Sequence, residues 1–148
     1  MKTEKELVKH LYEYAIFEGL NIKKSDVINI QREYEIKQIG EHYGRVDIFI
    51  ETDSHIYLVE VKGNKVKPVD IAQISRYLVA YRFINFGIIK KPIHGYIIGH
   101  GFYNDAIYLL DALYDDIGSY RYRMQADKVK LYATKFWYDE IHPINNLN

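Results

Sequence analysis

Apolar residues recur at helical spacing from the start of the chain. Leu7, Leu11 and Ala15 share one stripe between residues 3 and 18, with Thr3 as N-cap and Gly19 as stop. From Val27 to Ile36 apolar and polar residues alternate, which predicts a strand. Gly40 and Gly44 mark a turn region, and Arg45–Glu51 and His55–Lys62 read as two strands of a hairpin closed by Thr52-Asp53-Ser54. Gly63 to Lys67 is a basic loop. Pro68 then opens a helix whose stripe is Ile71, Ile74, Leu78 and Tyr81. Ile93–Ile98 is a strand, Asn104–Asp115 a helix and Val129–Tyr138 a final strand. No repeat, linker or low-complexity run interrupts the 148 residues, so one domain over 1–148 is expected. The order of elements predicts an α/β fold, a mixed sheet flanked by helices.

Composition narrows the chemistry. Hydrophobic residues make up 48% and charged residues 27%, the balance of a globular protein with a real core. The absence of cysteine excludes disulfides, thiolate catalysis and zinc sites with Cys ligands. The six histidines form no HExxH motif, and Gly99-His-Gly101 lacks the third glycine of a dinucleotide loop, so no nucleotide cofactor is expected. The charged start and the lack of a long apolar run predict a cytoplasmic protein without signal peptide or membrane span. The net charge is zero, so any binding of a polyanion must rest on local charge.

The hairpin carries the candidate chemistry. A loop centred on Asp53-Ser54 pairs Thr52 with His55, and counting inward pairs Asp47 with Glu60. Residues directly paired, or two apart on a strand, share a face. One face then holds Arg45, Asp47, Glu60 and Lys62, and the other holds Val46, Ile48, Ile50, Tyr57, Val59 and Val61 as a core face. Carboxylates directly across a hairpin repel, and a divalent cation reverses that repulsion. A nearby lysine beside such an ion suits phosphodiester cleavage. The same charges also read as a solvated face laced by salt bridges. Against that bland alternative, Phe49 and Leu58 continue the face beyond the charges, so it is not uniformly wet.

Asp47 followed by Glu60-Val61-Lys62 resembles the D…(D/E)xK signature of the PD-(D/E)XK nucleases, whose fold is restriction-endonuclease-like. Gln73-Ile-Ser-Arg-Tyr77 is similar to the QxxxY motif of the RecB-like branch. Arg32-Glu-Tyr-Glu and Gly44-Arg-Val-Asp47 resemble NucS-type nuclease domains, and Thr3-Glu-Lys-Glu resembles the first helix of archaeal Holliday-junction resolvases. Val46 stands where that family often has proline.

The resemblance implies a Mg²⁺- or Mn²⁺-dependent DNA endonuclease of repair or recombination. Asp47, Glu60 and the Val61 carbonyl would be metal ligands, Lys62 the catalytic lysine, and Gln73 a residue facing the site. Tyr77 would support Gln73 or contact DNA. The first-helix acid would fall on Glu4, ahead of Glu6 and Glu13, with Glu33 on the preceding strand as rival. Acids in a first helical turn are also favoured by the helix dipole alone.

Arg45, Lys65, Lys67 and Arg76 form a local phosphate-contacting set near the site. Arg121, Arg123, Lys128 and Lys130, interleaved with Tyr120 and Tyr122, read equally as a second basic patch or as the polar side of a strand. Two-strand cleavage suits paired sites, so a homodimer is expected, with Phe136, Trp137 and Tyr138 at the interface or in the monomer core. A nuclease fold without catalysis, binding DNA or protein, is the alternative, and a small tyrosine-rich protein-binding module is a further one.

Overall fold

The structure, a computed structural model, describes residues 3–113 and 116–134. Six strands form one sheet in the order β1 (Val27–Gln38), β2 (Glu41–Thr52), β3 (Ile56–Val61), β5 (Ile93–Gly99), β7 (Ile117–Gln125), β8 (Lys128–Ala133). β1, β2 and β3 run antiparallel, β3, β5 and β7 parallel, and β8 antiparallel to β7. Between the parallel strands the chain crosses through α3 (Pro68–Ile84) and α4 (Asn104–Leu113). Two short strands, β4 (Lys65–Val66) and β6 (Gly101–Phe102), pair parallel beside the main sheet. Among the described residues, no helix is long and apolar enough to cross a membrane.

Both faces of the sheet are buried. On one, Phe49, Leu58 and Ile97 meet Ile71, Ile74 and Leu78 of α3 and Ala106, Ile107 and Leu110 of α4. On the other, Ile48, Ile50, Val59, Val61 and Ile98 meet Leu7, Val8 and Leu11. A parallel strand covered on both sides reads as an apolar run, and in β3 the exception is Glu60. That one charged residue in a buried run is a strong local signal.

The first helical segment starts where expected. Thr3 Oγ1 accepts the Glu6 N–H and Glu6 Oε2 accepts the Thr3 N–H, a reciprocal cap on α1 (Glu4–His10). A π-helical turn over Leu11–Ala15 separates α1 from α2 (Ile16–Gly19), which ends at the predicted glycine.

Several expectations need correction. Gly44 lies inside β2, not in a turn, and the turn is at Ile39-Gly40. The basic loop contains β4. Gly101–Phe102 is a strand that the pattern does not signal, and β7 takes up the strand alternative for the run at Tyr120 but begins earlier, at Ile117. The final strand is Lys128–Ala133, and the Phe136-Trp137-Tyr138 run lies outside the described residues.

Val46 and Ile48 do not share a face. Val46 belongs to the α3-side cluster and Ile48 to the α1-side cluster. The alternation breaks between them, at Asp47. Opposite that break, between the pairs Arg32↔Ile48 and Tyr34↔Val46, sits Glu33 with φ 55. A non-glycine residue in the left-handed region costs about 1–2 kcal/mol and re-aims the strand. Arg32 accordingly stacks over Tyr12 on the α1 side, while Tyr34 stacks on Phe49 on the α3 side.

Candidate active site

The site lies at the C-terminal end of β3, the end from which α3 departs, where open α/β sheets place their ligands. Its first feature is a mutual exchange between two neighbouring strands. Asp47 N–H donates to Glu60 Oε1 at 3.1 Å, and Val61 N–H donates to Asp47 Oδ2 at 2.7 Å. The ladder between β2 and β3 ends at Ile48↔Val59, one step short of these residues. Beyond that step the acids themselves take the backbone donors.

Glu60 is 4% exposed, and its carboxyl is pushed up to about 8 by burial first and by the charge of Asp47 second. Asp47 is pushed up to about 6, again by burial, with the Val61 amide pulling down and Glu4 pushing up. Repulsion across the hairpin is therefore present, as the register implies, but desolvation outweighs it.

Lys62 stands beside the pair. Its Nζ lies 3.8 Å from Glu60 Oε2 and 3.9 Å from Asp70 Oδ1, and it donates to Gln73 Oε1 at 3.1 Å. Gln73 Nε2 in turn donates to the Tyr77 hydroxyl at 3.0 Å. Helical spacing brings Gln73 and Tyr77 together on the α3 face that looks at β2 and β3.

Tyr77 is 7% exposed and its hydroxyl is taken by Gln73. Of its two expected roles, this placement fits the support of the Gln73 amide. Asp70 was not anticipated. Its Oδ2 caps α3 by accepting the Lys67 N–H at 2.9 Å, while Oδ1 faces Lys62. An acid in the first turn after Pro68 was the available signal.

Glu4 reaches the site from α1. Its Oε2 accepts the Gly63 N–H at 2.9 Å, and the Gly63 carbonyl accepts from the Tyr122 hydroxyl at 2.9 Å. Its charge acts on both Asp47 and Glu60. Glu33 is exposed, with its backbone at the bend opposite Asp47, and it is not among the charges that shift Asp47. Glu6 is tied up in the α1 cap.

Arg45, Lys65, Lys67 and Arg76 are all exposed, and Lys65 rests over the ring of Tyr103 at 5.3 Å. In the second basic run Arg121 and Tyr122 are buried, and Arg123, Lys128 and Lys130 are exposed on the β7–β8 hairpin. The run is thus divided between core and surface.

The donor set suits a hard cation. Two carboxylates held side by side, one of them almost fully buried, leave charge that a divalent ion offsets, and Mg²⁺ characteristically takes one or two carboxylates and keeps its remaining positions for water and phosphate. Among the described residues no three His, Asp or Glu side chains converge as a ready cage. Glu4 is turned to Gly63.

Comparison with solved structures decides the fold. A crystal structure of a repair endonuclease from Pyrococcus abyssi matches with TM-score 0.55 and 20% identity, over 86% of this chain and 49% of that one. The fold is restriction-endonuclease-like. This restriction-endonuclease-like chain spans about half the length of that relative.

A structure of an EndoMS–double-stranded DNA complex matches with TM-score 0.48 and 16% identity, over 75% of this chain and 42% of that one. The small subunit of the heterodimeric restriction endonuclease R.BspD6I matches with TM-score 0.47 and 12% identity, over 79% and 67% of the two chains. No protein-family model and no curated protein matches the sequence. In this fold Asp47, Glu60 and Lys62 lie together at the end of a central strand.

Proposed function

We propose that this chain is a divalent-metal-dependent DNA endonuclease acting in repair or recombination. The observation that carries the reading is the convergence of Asp47, Glu60 and Lys62, with Lys62 Nζ held within 3.1 Å of Gln73 and 3.8 Å of Glu60. A salt bridge on a solvated face would not need a glutamate that is 4% exposed.

Asp47 and Glu60 would hold Mg²⁺ or Mn²⁺, with the Val61 carbonyl as a further donor. Such an ion, when bound, supplies positive charge to the reacting phosphate and acidifies water. The ammonium of Lys62 faces the same space, where it would hydrogen-bond the attacking water or a phosphate oxygen and offset charge that builds there. Gln73 and Tyr77 hold that ammonium in place. Glu4 adds negative charge from α1. Arg45, Lys65, Lys67 and Arg76 would take the DNA backbone on either side. Paired sites on a homodimer would suit cleavage of both strands.

A second reading, a nuclease fold that binds DNA or protein without cutting, is favoured by one observation. No third acidic side chain closes on Asp47 and Glu60 among the described residues. The two readings part in one assay. Purified protein is incubated with duplex, single-stranded, flap, mismatch and junction DNA, with Mg²⁺ or Mn²⁺ and with EDTA. Metal-dependent cutting of at least one form supports the endonuclease. Binding with no cutting of any form supports the second reading.

A further inference from the structure

The proposed catalytic lysine is held by residues that are themselves held, and the chain of support ends at a glycine. Gly44 sits inside β2, paired with Ile36, with φ 143. A strand interior is a poor place for glycine unless something must come close. What comes close is Tyr77. A Cβ on residue 44 would overlap Tyr77 Cε1 and stand 2.9 Å from its Cδ1 and Cζ. The ring therefore lies close against bare backbone, within the α3-side core where Tyr77 is buried.

The position of that ring matters through its hydroxyl. The hydroxyl accepts from Gln73 Nε2, which leaves Gln73 Oε1 pointing to Lys62 Nζ. An amide has a donor end and an acceptor end. If the hydroxyl moved away, the amide could turn its NH₂ toward the ammonium, and donor would then face donor.

Lys62 would then answer to the two carboxylates that flank it, Glu60 at 3.8 Å and Asp70 at 3.9 Å. Asp70 draws it toward the start of α3, away from the acid pair. Gln73 is what holds it between them.

We propose that Gly44 is a positioning residue, which sets the place of the Lys62 ammonium through Tyr77 and Gln73. Gly44 and Tyr77 touch no substrate and act on the lysine at second hand. The kinetic part of this inference rests on the endonuclease reading, and the structural part does not.

Two variants test it in the full chain. Gly44→Ala places a methyl under the ring. Tyr77→Phe keeps the ring and the backbone and removes only the hydroxyl. In the metal-free protein, nuclear Overhauser contacts between the Gln73 side-chain amide and the Tyr77 ring, and between Lys62 and Gln73, are measured for wild type and both variants. The Lys62–Gln73 contacts should be lost in each variant while amide dispersion stays native.

In cleavage assays kcat should fall about 10-fold or more in each, the size of effect seen when a supporting shell is removed. DNA affinity measured in Ca²⁺ should stay within about twofold. In a Gln73→Ala background, Gly44→Ala should cost little more, because both act through one link. Lys62–Gln73 contacts that persist in folded variants, or losses that multiply in the Gln73→Ala background, would overturn the proposal. If Gly44→Ala does not fold, Tyr77→Phe decides it by the same readouts. A wild type that cuts no DNA removes the endonuclease reading alone, and the resonance contacts still decide the support chain.

Discussion

Asp47 and Glu60 are joined through backbone amides as well as by proximity: Glu60 Oε1 accepts the Asp47 N–H at 3.1 Å, and Asp47 Oδ2 accepts the adjacent Val61 N–H at 2.7 Å. Each acid thus fixes the strand that carries the other. The arrangement keeps two carboxylates together where burial disfavours their charge, which makes ionising the pair costly.

The first prediction follows from that cost. The folded values, about 6 for Asp47 and about 8 for Glu60, lie above the ordinary 3.8 and 4.5. The unfolded chain therefore releases these protons first as pH rises. Stability from the pair is present at low pH and is lost between about pH 4 and pH 8.

Glu60→Gln keeps the acceptor for the Asp47 amide and removes the charge. In EDTA at pH 8.5 it should melt above wild type, by on the order of 5 °C. At pH 5 the gap should shrink. Mg²⁺ should raise the wild-type melting temperature by mass action and the variant's much less. Parallel melting curves across pH would mean that Glu60 carries no raised pKa.

A second prediction ranks the remaining acids. Glu4 reaches Gly63 and its charge acts on both Asp47 and Glu60, whereas Glu33 is exposed on the outer strand. Glu4→Gln, which can still accept the Gly63 amide, should lower metal affinity or cleavage about 10-fold. Glu33→Gln should change either by less than about twofold, since an exposed surface charge contributes little. The reverse order in a metal titration would move the third acid to the strand.

The exposed cations give a third. Arg45, Lys65, Lys67 and Arg76 are exposed, and the proposed function gives them the DNA backbone. Each alanine substitution should weaken binding to all sequences alike, and should reduce the slope of log affinity against log salt by about 0.9. The same substitution at Lys128, on the β7–β8 hairpin, should leave the slope unchanged. A slope that falls only for Lys128 would relocate the DNA path.

How much of this could be read from the chain depends on the range of the interactions. The pairing of Asp47 with Glu60 was legible because a hairpin has period two and its short loop sets the register. The α3 stripe and the Thr3 cap were legible for the same local reason. The break of alternation at Asp47 was not. It depends on the left-handed Glu33 of the neighbouring strand, and nothing in Glu33 as a residue type announces it.

Gly44 was misread as a turn marker because glycine most often serves turns. Here it serves a close approach by Tyr77, a contact with a distant helix. β7 was legible only as one of two readings of its basic run, because Arg121 and Tyr122 are adjacent and both buried, so no alternation shows. Asp70 was hidden behind its ordinary duty as a helix cap.

The proposed cutting of DNA rests on Lys62 together with the acid pair. Lys62 is partly exposed, so Lys62→Ala should leave the fold and melting temperature close to wild type. The most direct measurement is the cleavage rate of Lys62→Ala beside wild type, on whichever DNA form wild type cuts best, at saturating Mg²⁺. The account predicts a loss of at least about 100-fold, the scale of a removed electrostatic group in an active site. A folded Lys62→Ala protein that cuts at the wild-type rate would contradict it.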